Sequence, residues 1–312
     1  MRLKSLHFIS GTIICILAGI QTTCNSYFFN KISFYSKSPS NCSSLLCINN
    51  DEFIVSTQDN KESGLYYFSL KPGQIIRKIL VDKYPVFYRP LGYNRDTKEI
   101  IYSKVSPHIT GITNERTETL WKLNLLEDRS KSEVYIEGDK FRDASISHNC
   151  RWLLFGYTTT IRSSPVDNVL LMDVHNKTVE ILTTMRAYDV SSWSFNDQQI
   201  AVSMVPLDSY KSYLYIYNLS DRTFKKVSDT IYDQSNIYLA WTPDNKKIIL
   251  SHSVKDRGFQ LIELNIENQE IIKLTSSKDD ATSPTITPDG RKIAFIWHKY
   301  NTIERIIAFL KR

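Results

Sequence analysis

Glycine is scarce in this sequence, with ten residues in a chain of 312. No glycine-rich phosphate loop occurs, neither G-x-G-x-x-G nor the P-loop pattern. His-Glu-x-x-His and Cys-x-x-Cys are missing as well, and so is the Gly-x-Ser-x-Gly elbow of serine hydrolases. Nucleotide-dependent, zinc-protease and hydrolase-elbow chemistries therefore have no carrier. Positive charge is present but not concentrated. A net charge of +6 is spread along the chain with no Lys/Arg run and no basic aromatic stripe, which removes the footprint of a nucleic-acid binder. The longest apolar stretch, Leu6 to Ile20, has 15 residues, short of the ~18 or more that a membrane-spanning helix needs. Beyond it there is no helical periodicity and no low-complexity tract.

What remains is rich in strand formers: 18 Tyr, 14 Phe and many β-branched residues. They are arranged in repeats. The cleanest copy is Ser283 to Phe295, SPTITPDGRKIAF. Thr285-Ile286 reads as the end of a strand. Thr287-Pro288-Asp289-Gly290 reads as a tight turn, with proline presetting φ, Asp capping amides and Gly accepting φ > 0. Arg291 to Phe295 returns as a second strand. Trp241 to Leu250 matches closely, and Trp193 to Val202 matches without the proline. Ile146 to Phe155 is more degenerate, and the copies around Asp96 and Asn49 keep only the turn and second strand. The Asp/Asn anchors at 49, 96, 149, 196, 244 and 289 are spaced by 47, 53, 47, 48 and 45 residues.

A second register keeps step. An apolar strand ending in a small polar residue and an aliphatic follows each of the first five copies: Leu65–Leu70, Leu120–Leu125, Val169–Val174, Leu214–Leu219 and Leu261–Ile266. A fourth apolar run comes after it. Four short strands per unit at a period of about 45 residues predict an all-β, six-bladed β-propeller with four-stranded blades. One four-stranded sheet cannot bury both faces alone, whereas a ring of sheets buries each face on a neighbour. Trp193 and Trp241 sit at matching first-strand positions and are expected to fill the wedge between blades.

The two ends complete the scheme. Residues 1–23, with Arg2 and Lys4 ahead of the apolar stretch, read as an export signal, leaving 24–312 as the propeller. Cys24 admits two readings: lipidation after a lipobox-like approach that departs at Gln21, or ordinary cleavage near Cys24 to Ser26. The sixth repeat lacks a fourth strand, and the strand-like residues 27–36 are expected to supply it and close the ring. In an exported chain Cys42 and Cys47 are candidates to pair, and three half-buried thiols, Cys150 included, are the equal alternative.

Ser283–Phe295 and Trp241–Ile248 resemble the Ser-Pro-x-Trp-Ser-Pro-Asp-Gly-x-x-Ile-Ala-Phe repeat of TolB-like six-bladed propellers. The resemblance covers nearly the whole chain after the signal, and is specific in the last three repeats. The same repeat is similar to the propellers of prolyl-oligopeptidase-type enzymes and of oligogalacturonate lyases. The chain departs from each: the α/β domain preceding the TolB propeller is missing, and so is a hydrolase domain.

Candidate chemistry gathers on the face of the connections between second and third strands: 104–117, 156–167, 205–212, 251–258 and 297–302. His108, His252 and His298 fall there, with Asp256 and Arg257 beside His252. The resemblance implies that lyases of this fold hold a metal with histidines at the channel, and imidazoles suit zinc or manganese. His148 and His175 fall in turns on the opposite rim and read as solvated. The leading expectation is a non-catalytic, exported binding propeller of the bacterial cell envelope, in the periplasm or lipid-anchored through Cys24. It docks a protein or carbohydrate on the long-loop face and needs no cofactor. The alternative is a metal-dependent lyase or hydrolase of an acidic polysaccharide, which needs His108, His252 and His298, or two of them with carboxylates, to converge.

Overall fold

Every anchor turn joins the first two strands of a four-stranded antiparallel sheet, and the six sheets follow one another in chain order. The structure is a computed structural model that describes residues 32–34, 41–71, 76–107, 116–126, 132–136, 141–161, 164–227, 238–254, 258–276, 280–298 and 305–312. Blade 1 is β2 (Cys42–Cys47), β3 (Glu52–Gln58), β4 (Glu62–Ser69) and β5 (Ile76–Lys83). Blade 2 is β6 (Phe87–Asn94), β7 (Glu99–Pro107), β8 (Arg116–Asn124) and β9 (Glu133–Ile136). Blade 3 is β10 (Arg142–Ile146), β11 (Trp152–Ile161), β12 (Ser164–Asp173) and β13 (Thr178–Met185). Blade 4 is β14 (Ala187–Trp193), β15 (Gln199–Val205), β16 (Tyr213–Asn218) and β17 (Thr223–Lys226). Blade 5 is β18 (Leu239–Trp241), β19 (Lys247–Val254), β20 (Gly258–Asn265) and β21 (Ile271–Lys273). Blade 6 takes β22 (Asp280–Ile286), β23 (Lys292–His298) and β24 (Arg305–Lys311) from the end of the chain and β1 (Ile32–Phe34) from its beginning. β1 lies antiparallel to β24, Ile32 opposite Leu310 and Phe34 opposite Ala308. The expected closure by an N-terminal strand is thus the closure observed.

The core sits between blades. Each of the six buried apolar clusters among the described residues joins two neighbouring sheets. Ile248 and Leu250 of β19 pack on blade 4, while Ile249 between them packs on blade 6. Strand alternation thus feeds two interfaces from one strand. Phe53 of blade 1 meets Phe309 of blade 6 edge to face, centroids 5.4 Å apart, across the closing interface. The Trp241 indole donates to the Ser192 carbonyl of blade 4 at 2.9 Å, and Trp193 to the Ser145 carbonyl of blade 3 at 3.3 Å. Both tryptophans fill the wedge as expected.

The turn chemistry explains both sequence registers. Ser147, Ser194, Thr242 and Thr287 each accept the amide five residues on and donate their hydroxyl to the anchor two residues on. The anchor oxygen in turn accepts the amide two residues further. The next residue, Cys150, Asp197, Asn245 or Gly290, turns the chain at positive φ, a conformation that Asp, Asn and Gly adopt most readily. That same position latches neighbouring blades. Asp197 accepts the amides of His148 and Asn149 at 2.8 and 2.9 Å, Asn245 accepts that of Asn196, and Asn50 accepts that of Asp289 across the closure. His148 is accordingly more than a solvated turn residue: its ring stacks on Phe195 and its Nδ1 lies 3.0 Å from Asp197. In the second register the aliphatic residue after each third strand returns its amide to a carbonyl of the anchor turn, as Leu70 does to Asp51 and Val174 to Arg151. The small polar residue before it caps the next turn, as Asp173 does for His175 and Asn176. Repeat two is a correction: its capping residue is Asn94 rather than Asp96, in a longer turn with Lys98 at positive φ.

Cys42 and Cys47 stand at opposite ends of β2, and neither they nor Cys150 form a disulfide. Five steps along an extended strand separate them by about 16 Å, far beyond the ~7 Å between Cα atoms that a disulfide tolerates. Burial pushes all three thiols up to about 12.

β1 contributes only three residue pairs, yet it covers the outer edge of β24. A chain truncated to begin at Ser38 should lose on the order of 2 kcal/mol and melt about 3 °C below one beginning at Tyr27. Coincident melting curves would show that the pairing carries no stability.

Candidate functional site

Antiparallel alternation sends the anchor turns to one rim. It sends the second-to-third-strand hairpins, with the blade-to-blade connections, to the other. On this hairpin rim the blades differ in height. In blade 2 the β7–β8 ladder continues to Pro107 opposite Arg116, and in blade 3 the β11–β12 ladder continues to Ile161 opposite Ser164. In blade 4 the ladder ends at Met204 opposite Tyr213. Segment 156–167, expected as a loop, is thus largely paired strand, and in 104–117 the described residues 104–107 and 116–117 are paired as well. At about 3.4 Å per residue the arms of blades 2 and 3 stand roughly 10 Å above blade 4 as a wall, while the blade 5 ladder, which reaches Val254 opposite Gly258, is intermediate in height.

The inner strands begin on this rim, and three of the six, β2, β10 and β14, carry a register shift near that end. A bulge of this kind re-aims the side chains around it. In β10 the bulge includes Asp143, at φ 49°. Around it lies a charged chain that ties the roots of the two arms together. Arg89 of β6 contacts Glu118 of β8 at 2.7 Å and Asp143 at 3.4 Å. Arg142 of β10 reaches Asp143 at 3.7 Å and Asp167 of β12 at 3.1 Å. Thr158 of β11 donates to the same Asp167 oxygen at 2.7 Å. Glu118 and Asp167 are 7% and 2% exposed, so each depends on its guanidinium; a buried carboxylate left unpaired is strongly destabilising. Sequence reading missed this cluster, because its partners are 25, 29 and 54 residues apart and meet only through blade packing.

The histidines separate. His252 lies in β19 opposite Gln260, on the parity of Ile248 and Leu250 that faces blade 4. Burial, aided by the charge of Lys273, holds its pKa below the ordinary 6.5. His298 ends β23 in blade 6, its Nδ1 3.2 Å from Asp280 at the start of β22. The other Asp280 oxygen accepts the Phe259 amide of blade 5 at 2.8 Å. Gly258, at φ 78°, makes room for it: a Cβ there would lie 1.7 Å from the carboxylate. Among the described residues no three His, Cys, Asp or Glu side chains are grouped so as to hold a metal ion. His108, Asp256, Arg257 and Cys24 lie outside the described residues.

No protein-family model and no curated protein matches the sequence. Solved structures do match. TolB from Acinetobacter baumannii aligns over 80% of this chain at 15% identity with a TM-score of 0.54, and the chain spans 60% of that protein's length. A putative TolB from Agrobacterium tumefaciens aligns at 15% identity over 73% of this chain and 75% of its own, TM-score 0.56. The chain has the TolB-like six-bladed propeller fold. An oligogalacturonate lyase in complex with manganese shares that fold, at 11% identity over 88% of this chain and 77% of its own, TM-score 0.58.

The lowered pKa of His252 sets a direction for this TolB-like propeller. The folded state holds the imidazole neutral, so stability present above 6.5 is lost as pH falls below it toward the folded value. Melting temperatures of the wild type should drop more between about pH 7.5 and about pH 5.5 than those of His252→Gln. Equal drops would remove His252 from the acid response.

Proposed function

We propose that this chain is an exported, non-catalytic binding propeller of a bacterial envelope that docks a protein or carbohydrate partner on its hairpin rim. The supporting observation is the wall on blades 2 and 3. Two ladder-paired arms, tied together where Arg89 and Arg142 pair with the buried carboxylates Glu118 and Asp167, present a raised edge on the hairpin rim. Rigid strands hold a recognition surface with little ordering cost on binding. Residues 1–23, which read as an export signal, support an envelope location, and Cys24 is the candidate lipid anchor.

The network is internally compensated, with Arg89 and Arg142 already engaged by Glu118, Asp143 and Asp167. That is the arrangement of a braced scaffold, and a catalytic carboxylate pair would have different requirements. A metal-assisted lyase would draw on His108 together with His252 and His298, and the latter two occupy separate environments on neighbouring blades.

Photo-crosslinking in the native envelope tests the reading. A crosslinker at Thr159, on the blade 3 arm, should give one defined adduct, and a crosslinker at Lys177, on the opposite rim, should give none. Adducts from Lys177 alone, or release of unsaturated oligosaccharide from an acidic polysaccharide by the purified protein, would contradict it.

A further inference from the structure

We propose that blade 4 carries a second docking element on the same rim: a basic, aromatic shoulder that takes an acidic polypeptide segment with an apolar anchor. This rests on the reading of the hairpin rim as the docking face. The shoulder is the short connection from β15 to β16. Arg186, between β13 and β14, donates its Nε to the Ser209 carbonyl at 2.9 Å and an Nη to the Leu207 carbonyl at 2.8 Å. One planar guanidinium thus pins two carbonyls of one loop. The same group lies over the Tyr210 ring, 4.3 Å from its centroid. Next to it, Lys226 Nζ sits 3.8 Å from the centroid of the Tyr213 ring.

The arrangement holds in place what a free loop would not. Tyr210 is 73% exposed and Leu207 49% exposed, although both are large apolar surfaces. Arg186 fixes the backbone that carries them, so covering them with a partner costs little conformational entropy. Tyrosine and arginine are both enriched in protein–protein hot spots, tyrosine because it gives large contact area with two rotors and arginine because its planar fork, here already pinned by two carbonyls, loses little further freedom. Among the described residues that form the shoulder, Arg186, Lys211 and Lys226 stand against one acid, Asp208, a balance that favours an acidic partner and speeds its encounter. The protruding Leu207 side chain points to a polypeptide. It offers an apolar contact that a leucine or similar anchor would use, and that a sugar hydroxyl would not.

The test measures fluorescence anisotropy of a labelled peptide of alternating Glu and Leu with the purified chain at low salt, beside a Lys–Leu control peptide. The Glu–Leu peptide should bind and the control should not. Tyr210→Ala should weaken binding about tenfold, Tyr210→Phe should retain it, and Lys211→Glu with Lys226→Glu should abolish it. Unchanged affinity in both the Ala and the double-Glu variants, with wild-type melting curves, overturns the proposal. So does charge-dependent binding of polygalacturonate in place of the peptide. The Thr159 adduct separates the two readings. If it forms equally in the Tyr210→Ala and double-Glu variants, the shoulder is excluded and the rim reading stands. If Thr159 yields no adduct in the unaltered chain, the rim reading fails, and the peptide titration still decides the shoulder.

Discussion

Each sheet in this molecule is apolar on both faces, and no sheet can satisfy that alone. The consequence is a ring in which every core cluster belongs to two blades. Closure is therefore a condition for burial at the first and last blades. Phe53 and Phe309, from opposite ends of the chain, complete their packing only on each other's sheets. The β1–β24 pairing and the Asn50 latch on the Asp289 amide serve that one junction.

The ring then divides the labour between its rims. On the turn rim the chemistry repeats: a Ser or Thr hydroxyl, an Asp or Asn anchor and a positive-φ residue, which as Asp197 and Asn245 reaches to the blade before. Such a rim is built for joining blades, and its polar groups are spent on one another. On the hairpin rim the repetition fails. The arms of blades 2 and 3 grow, blade 4 presents a pinned aromatic loop, and charge is placed at inner-strand bulges. Asymmetry on one rim of a symmetric scaffold is where selection for a partner leaves its mark, since packing has no need of it.

How much of this the sequence discloses depends on the range of the interaction. The turns are local: Thr287, Asp289 and Gly290 act within six residues, so their spacing revealed the blades and the ring. The closing strand was legible because a missing strand at one end met a spare one at the other. Repeat two was misplaced at Asp96 because Asn94 caps a longer turn without the Ser/Thr that marks its fellows. Arg89, Arg142 and their carboxylates were invisible, being joined only by packing between blades. Arg186 and Tyr210 are distant in sequence and meet only once β14 pairs with β15. The histidines drew attention by their chemistry alone, and strand parity separates the environments of His252 and His298.

The central claim is that this propeller binds without catalysing. Elemental analysis of the full chain, purified without added metal or chelator, tests it most directly. A binding propeller predicts well under one transition-metal or calcium ion per chain, unchanged in His252→Ala and His298→Ala. Near-stoichiometric zinc or manganese, lost on substitution of either histidine, would contradict it and return the ring to the metal-dependent lyases.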